Sequence, residues 1–328
     1  MTRTEARPHP LLDDRVVTIA GRQVSANREE IEVSVREIRA VGLEALMLAT
    51  ELLQRSRLAD RQAGLWEAAD VQWWWRKPRR SDGVEQVFWV DSQGPVAGAL
   101  LTSWTDDAWQ CDPILVPRES GLKPEVVWAR ALEQIGVHAV GEFEVPVRDD
   151  DLALKELVEA SGLVAGDPYS IAWMDAADRQ SVQSLPEGFA LVDRTQRRDT
   201  PHPMRHRNGD GVEERLAQCP LYDPELDLAV ETVDGRVAGY SLYWFDPVTK
   251  VGLVEPVRVE DEYQRRGLAR AMLTAGIDRL ATKGAQRVKI GWGTEAAAAL
   301  YQSVGFQPTS SDIYYEGRTE HLTRASSG

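Results

Sequence analysis

Val257-Arg258-Val259-Glu260-Asp261-Glu262-Tyr263-Gln264-Arg265-Arg266-Gly267-Leu268-Ala269-Arg270-Ala271-Met272-Leu273 reads as a strand, a short charged turn and a helix that opens on glycine. A backbone can come close to a ligand at Gly267 because no Cβ intervenes, and Ala269 keeps the next crowded position small. Backbone N–H groups at the start of such a helix point at one spot, where the helix dipole favours negative charge. Arg265, Arg266 and Arg270 add positive charge there, so the segment suits phosphates. Taken by itself, Gln264-x-x-Gly267-x-Ala269 is also compatible with an ordinary strand-turn-helix whose arginines are solvated.

The flanking sequence extends the pattern. Asp234-Gly235-Arg236-Val237-Ala238-Gly239-Tyr240 predicts a hairpin turn entering a strand, and Val251 to Val259 the strand after it. Leu268 to Lys283 has apolar residues at helical spacing and stops at Gly284. Arg287 to Trp292 puts Val288, Ile290 and Trp292 on one strand face. Ala297-Ala298-Ala299-Leu300-Tyr301-Gln302-Ser303-Val304-Gly305-Phe306 closes the region as a helix and the turn after it.

With these neighbours, Gln264-x-x-Gly267-x-Ala269 resembles the (Gln/Arg)-x-x-Gly-x-(Gly/Ala) signature of the GNAT superfamily of coenzyme A dependent acyltransferases. Leu300-Tyr301-x-x-x-Gly305-Phe306 resembles the family's ending, and the likeness covers about Leu185 to Glu316. It implies an α/β (α+β) fold, a mixed, mostly antiparallel sheet flanked by helices, with acetyl-CoA as acyl donor. The resemblance puts Val257 and Val259 against the pantetheine and the Gln264-Arg265-Arg266-Gly267-Leu268-Ala269-Arg270 loop on the pyrophosphate. Thr294 stands where an asparagine often contacts the cofactor, and its hydroxyl suits a helix cap. Asp261 replaces a common proline and Arg265 a common glycine, and neither change removes a backbone donor. Tyr301 matches the tyrosine that protonates the departing sulfur, against the alternative of a core tyrosine. Glu255 shares strand parity with Val257 and Val259 and is the best-placed carboxylate to take the amine's proton, against the alternative of a structural or solvated glutamate.

The first half of the chain repeats the second. Pro95-Val96-Ala97-Gly98 recurs as Arg236-Val237-Ala238-Gly239, an offset of 141 from 95 to 236. Asp112-Pro113-Ile114 recurs as Glu255-Pro256-Val257, and Leu157 to Leu163 as Leu300 to Phe306, each 143 residues on (112 to 255, 157 to 300). A domain-sized period means two copies of one fold. At the place of the phosphate loop, Val116 to Glu125 has a displaced glycine, Gly121, and Pro124, which lacks a backbone donor; Val158 stands where the second half has Tyr301. The expectation is therefore two tandem GNAT-like domains, a degenerate one over 1–178 and an acetyl-CoA-binding catalytic one over 179–328, joined within Asp175 to Pro186.

Composition bounds the function. The chain has 328 residues, room for two domains. It lacks the roughly 20-residue apolar run that crosses a bilayer, and Met1 to Asp14 is polar rather than a signal sequence, so the expectation is a cytoplasmic location with no membrane partner. Cys111 and Cys219 lie far apart and suggest neither disulfide nor zinc. A net charge of −14 opposes nucleic acid as a partner and is compatible with a cationic amine acceptor. Trp73-Trp74-Trp75 before Arg76-Lys77-Pro78-Arg79-Arg80 reads as a helix end packed on the other domain with a solvated basic loop, or as an acceptor wall or stacking nucleic-acid patch. His202 and His206 have metal-ligand spacing, but Pro201 and Pro203 oppose a helix there; no metal is assigned, and Pro201 to Gly211 is expected over the acceptor site.

Three function classes follow. The leading one is an acetyl-CoA dependent N-acetyltransferase acting on a small-molecule amine, with the first domain completing the acceptor cleft or a homodimer. The others are a tRNA-dependent aminoacyl transferase on paired GNAT-like domains, and a non-catalytic acyl-CoA-binding sensor or scaffold. The intact loop and the acidic balance oppose the second; fold alone does not choose an acceptor.

Overall fold

Local signals set most element ends. In this computed structural model, which describes residues 34–62, 64–117 and 121–325, the first half runs β1 (Arg36–Ala40), α1 (Gly42–Ala59), α2 (Ala68–Trp75), β2 (Gln86–Asp91), β3 (Gly94–Ser103), β4 (Ala108–Leu115), α3 (Pro124–His138), β5 (Glu142–Arg148), α4 (Leu152–Ala160) and β6 (Val164–Asp175). The second half runs β7 (Phe189–Asp193), α5 (Arg205–Asn208), α6 (Val212–Ala217), β8 (Asp227–Thr232), β9 (Val237–Asp246), β10 (Val251–Val259), α7 (Leu268–Lys283), β11 (Arg287–Trp292), α8 (Glu295–Ser303), β12 (Gln307–Arg318) and α9 (Thr319–Ala325). The hairpin before β9 turns at Gly235 with φ +80°. Gly284, at φ +106°, ends α7 with its N–H on the carbonyls of Leu280 and Ala281. The repeat is structural: β3 and β9, β4 and β10, α4 and α8, and β6 and β12 each begin 143 residues apart (94 to 237, 108 to 251, 152 to 295, 164 to 307).

The twelve strands of the described residues form one sheet in the order β1-β2-β3-β4-β5-β12-β6-β11-β10-β9-β8-β7. Among the described residues only β4 with β5 and β10 with β11 pair in parallel; the other pairs are antiparallel. The fold class is as expected, a mixed and mostly antiparallel sheet flanked by helices. The partition in space is different. The last strands are exchanged: β6 of the first half pairs with β11, from Arg287↔Asp175 to Trp292↔Ser170, while β12 pairs with β5, from Asp312↔Arg148 to Arg318↔Glu142. The sequence boundary falls in the short helical turn Ala176–Asp178, yet each half finishes the other's sheet. The two exchanged strands also pair with each other, with Tyr169 opposite Asp312. These residues are themselves 143 apart (169 to 312), so the pseudo-two-fold axis passes between them.

A shared core locks the halves. Leu46, Leu52 and Phe88 from the first belong to the same buried cluster as Met204, Leu216, Trp244 and Leu253 from the second. Burying each such side chain contributes about 1.5–3 kcal/mol, so separating the halves would expose a large apolar area. Cys111 and Cys219 are buried free thiols. Among the described residues, no helix is long and apolar enough to cross a membrane.

Candidate functional site

β10 and β11 part company in the middle of the sheet. They pair only from Val251↔Arg287 to Leu253↔Lys289, although β10 continues to Val259 and β11 to Trp292. Beyond that point their facing backbone groups border an open wedge. Val257 and Val259 line its β10 side, their other edge held by Ser241 and Gly239 of β9. The register against β9 shifts by one between Val254 and Val257, a bulge that accommodates Pro256, which has no N–H for the ladder. This corrects the simple alternation by which the sequence put Glu255 on the face of Val257 and Val259.

Glu255 nevertheless looks into the site. Burial pushes its carboxyl up to about 7; the Asp70 carboxylate pushes the same way, while Arg76, the Trp73 indole and Lys289 hold it lower. Asp70, Trp73 and Arg76 all come from α2 or its C-terminal end, which packs on β9, β10 and α6. The first half thus roofs the carboxylate of the second. Asp70 is itself pushed up to about 6 by burial. Tyr301 of α8 packs on Trp292 with ring centroids 5.9 Å apart, and burial, then Glu255, pushes its phenol up to about 12.

The loop between β10 and α7 has a geometry compatible with an anion cradle. Gln264 Nε2 donates to Val259 O at 3.3 Å and to Asp261 Oδ1 at 3.0 Å, closing the loop on itself. Arg265, at φ +60°, and Gly267, at φ +80°, are left-handed, and no side chain caps the 16-residue α7 that follows. A Cβ at Gly267 would meet nothing within 4 Å. Space and free N–H donors therefore coincide, the arrangement a pyrophosphate needs. Leu268 is buried, so only its backbone can serve, and Ala269 leaves the helix start small. Arg266 donates to Glu262 O, and Arg270 donates to Gln180 Oε1 at 3.1 Å and Ser303 O at 3.3 Å. Thr294 Oγ1 accepts from Ala297 N at 3.3 Å and so caps α8.

Other expectations resolve in detail. Trp75 and Arg215 stack at 3.7 Å between the halves, and Trp75 Nε1 donates to Gln218; the tryptophan run is interdomain packing, and the Trp73 indole also reaches Glu255. The basic stretch after it is held by partners: Arg76 stacks on Trp73 at 3.6 Å and donates to Asn208, and Arg79 donates to Trp74 O and Ser103 O. Asn208 lies in the expected acceptor-side segment 201–211, where Arg207 also pairs with Glu260 at 2.8 Å. His202 is buried with Nε2 on Asp227 Oδ2 at 2.7 Å, whereas His206 is exposed and bonds Pro203 O. Among the described residues no group of His, Cys, Asp or Glu is arranged to hold a metal ion.

Sequence reasoning missed Asp70 and Lys289, and named Arg76 only within the basic stretch after the tryptophans. Lys289 is buried in β11 and lies 3.4 Å from Glu67 and 3.8 Å from Asp70. The available signal was a lysine between the apolar Val288 and Ile290 of the strand Arg287–Trp292.

The first half keeps the same wedge, since β4 and β5 pair only from Ala108↔Glu142 to Gln110↔Glu144. A cavity of about 430 Å³ opens there, lined in part by Trp66, Asp112, Leu115, Pro146 and Arg148. Burial pushes Asp112 up to about 7 even though Gln110 and Trp66 donate to it. α3 begins at Pro124; positions 118–120 of the corresponding loop lie outside the described residues.

Residues 193–306 match the model of the Acetyltransferase (GNAT) family. The chain is 32% identical over 117 residues to a mycothiol acetyltransferase of Clavibacter michiganensis, a match spanning 35% of this chain and only 37% of that relative. To the mycothiol acetyltransferase of Clavibacter sepedonicus it is 26% identical over 66% of this chain and 79% of the relative. Among solved structures, a tandem GNAT protein from the clavulanic acid biosynthesis pathway superposes with a TM-score of 0.62 at 15% identity, covering 87% of this chain and 98% of the other; the likeness extends to fold.

Proposed function

The C-terminal half of this chain belongs to the GNAT acetyltransferase family, and from that premise we propose that the protein is an acetyl-CoA dependent N-acetyltransferase acting on a small amine. The observation that carries this reading is the convergence on one wedge of Glu255, Tyr301 and the Gln264–Arg270 cradle. When bound, acetyl-CoA supplies the activated acyl group; the cradle would take its pyrophosphate, and Val257 and Val259 would border its pantetheine. Transfer forms an N–C bond and breaks the C–S bond, so one proton must leave the amine and one must reach the sulfur. Glu255, with its carboxyl near 7, suits the first task at neutral pH, directly or through a water. Tyr301, whose phenol is held near 12 and stays protonated, suits the second.

The roof supplied by α2 gives the acceptor side an aromatic and charged wall of Trp73 and Arg76. The names of the relatives make a mycothiol-type acceptor the first specific case. The test is a calorimetric titration with acetyl-CoA, followed by thiol release measured against an amine panel that includes that acceptor. Saturable binding and release that depends on the amine are expected. Tight binding without release from any amine would leave an acyl-CoA-binding protein and sink the enzymatic reading.

A further inference from the structure

We propose that Tyr169, carried into the second half by the exchanged strand β6, is the residue that holds the acceptor amine at the catalytic wedge. The inference rests on the acetyltransferase reading above and assigns a role in it to the first half of the chain.

Tyr169 directly precedes Ser170, which pairs with Trp292 at the end of β11. Positions 291 and 293 are both glycine, and the Tyr169 ring occupies the space that side chains there would fill. A Cβ on Gly291 would lie 2.5 Å from Tyr169 Cε1, and one on Gly293 would lie 3.4 Å from Cδ2. The missing side chains let the ring lie across the strand. Its outer edge is braced by Tyr314, T-shaped at 6.2 Å between centroids.

The phenol lies within electrostatic reach of Glu255 and Tyr301. Burial pushes the Tyr169 phenol above its ordinary range, and the next two contributions come from Glu255 and Tyr301. The two tyrosines approach from opposite faces. Tyr301 sits on α8 beside Trp292, on the β11 face of Val288 and Ile290. Gly291 belongs to the other face, that of Lys289 and of Glu67 and Asp70 under the roof helix α2. If Tyr301 serves the sulfur, the group on the α2 side is placed for the incoming amine. A protonated phenol both accepts and donates. It would accept one N–H of the neutral primary amine, leaving the lone pair free to attack while Glu255 takes the proton lost.

The experiment compares wild type with Tyr169→Phe, which keeps the ring on Gly291 and Gly293 and removes only the hydroxyl. Primary amines such as glucosamine, spermidine, tryptamine and lysine, together with the mycothiol-type acceptor, are screened by thiol release, and the best acceptor is taken forward. The acceptor KM should rise roughly 3–10-fold, the loss of one neutral hydrogen bond, with kcat within about twofold and acetyl-CoA affinity by calorimetry unchanged. A purely structural role would leave Phe equal to wild type, and that result overturns the proposal alone. A fall confined to kcat would also overturn it, by placing the hydroxyl in proton transfer. If wild type acetylates no amine, the functional reading fails and this proposal with it.

Discussion

At the scale of single residues, the proposed reaction turns on a carboxyl whose burial brings it into the neutral range. Glu255 is lifted to about 7 chiefly by burial, so its ionised form, the one able to accept a proton, accumulates as pH rises through neutrality. The rate of transfer should therefore climb between about pH 6 and 8 with a single apparent ionisation. Glu255→Gln keeps the shape and has no proton to exchange. It should lower kcat by about 10²–10⁴-fold and abolish that climb in the pH–rate profile. A variant within threefold of wild type would assign the proton to solvent or to another carboxylate, and Asp70, 3.8 Å from Lys289 on the same side, would be the next to examine.

At the scale of elements, the cradle between β10 and α7 depends on two left-handed residues, of which Gly267 is the one with open space beyond it. Gly267→Val would impose a side chain on φ +80°, at a cost of about 1–2 kcal/mol, and enter the space proposed for phosphate. Acetyl-CoA affinity should fall at least tenfold by calorimetry, whereas Gly121→Val in the first half should leave it nearly unchanged. Equal losses would mean that both wedges bind the donor. β10, α7 and β11 were legible to the residue in sequence because their signals are local: Gly267 and Gly284 bracket α7, and alternation marks β11. α2's role was half legible. Three consecutive tryptophans announced an interface, but nothing near residue 73 in sequence indicates that Glu255, so far along the chain, lies beneath it. Glu255's orientation was legible only in outcome, since the bulge at Pro256 breaks the alternation that seemed to place it.

At the scale of the molecule, the exchange of β6 and β12 could not be read from the chain. The two strands begin 143 residues apart and occupy equivalent places in the repeat, so either could in principle have completed either half. The seam they form carries a cost. Asp312 is 1% exposed, and neither of its carboxylate oxygens has a hydrogen-bond partner among the described residues. Burial pushes its carboxyl up to about 7, against the pull of Lys289 and Arg148. In the unfolded chain an aspartate titrates near 3.9, so the folded state binds this proton more tightly. Stability is then lost as pH rises from about 4 to 7 and stays lowered above. Asp312→Asn should remove that loss, raising stability by about 1–3 kcal/mol at pH 8 and by little at pH 4. Thermal unfolding at the two pH values measures it, and an equal shift at both would show that the carboxylate's charge is not the cause.

The exchanged pairing also sets a schedule for biogenesis. On a ribosome β5 is made long before its neighbour, since Arg148 pairs with Asp312, and β6 waits for β11. Until β12 emerges the nascent chain therefore holds two β-strands with unmatched edges, and the sheet closes only then. Such long-range closure is slow and leaves edges open to neighbouring chains. The pairing thus ties the completion of both halves to β12, instead of letting each close by itself as the tandem repeat would suggest.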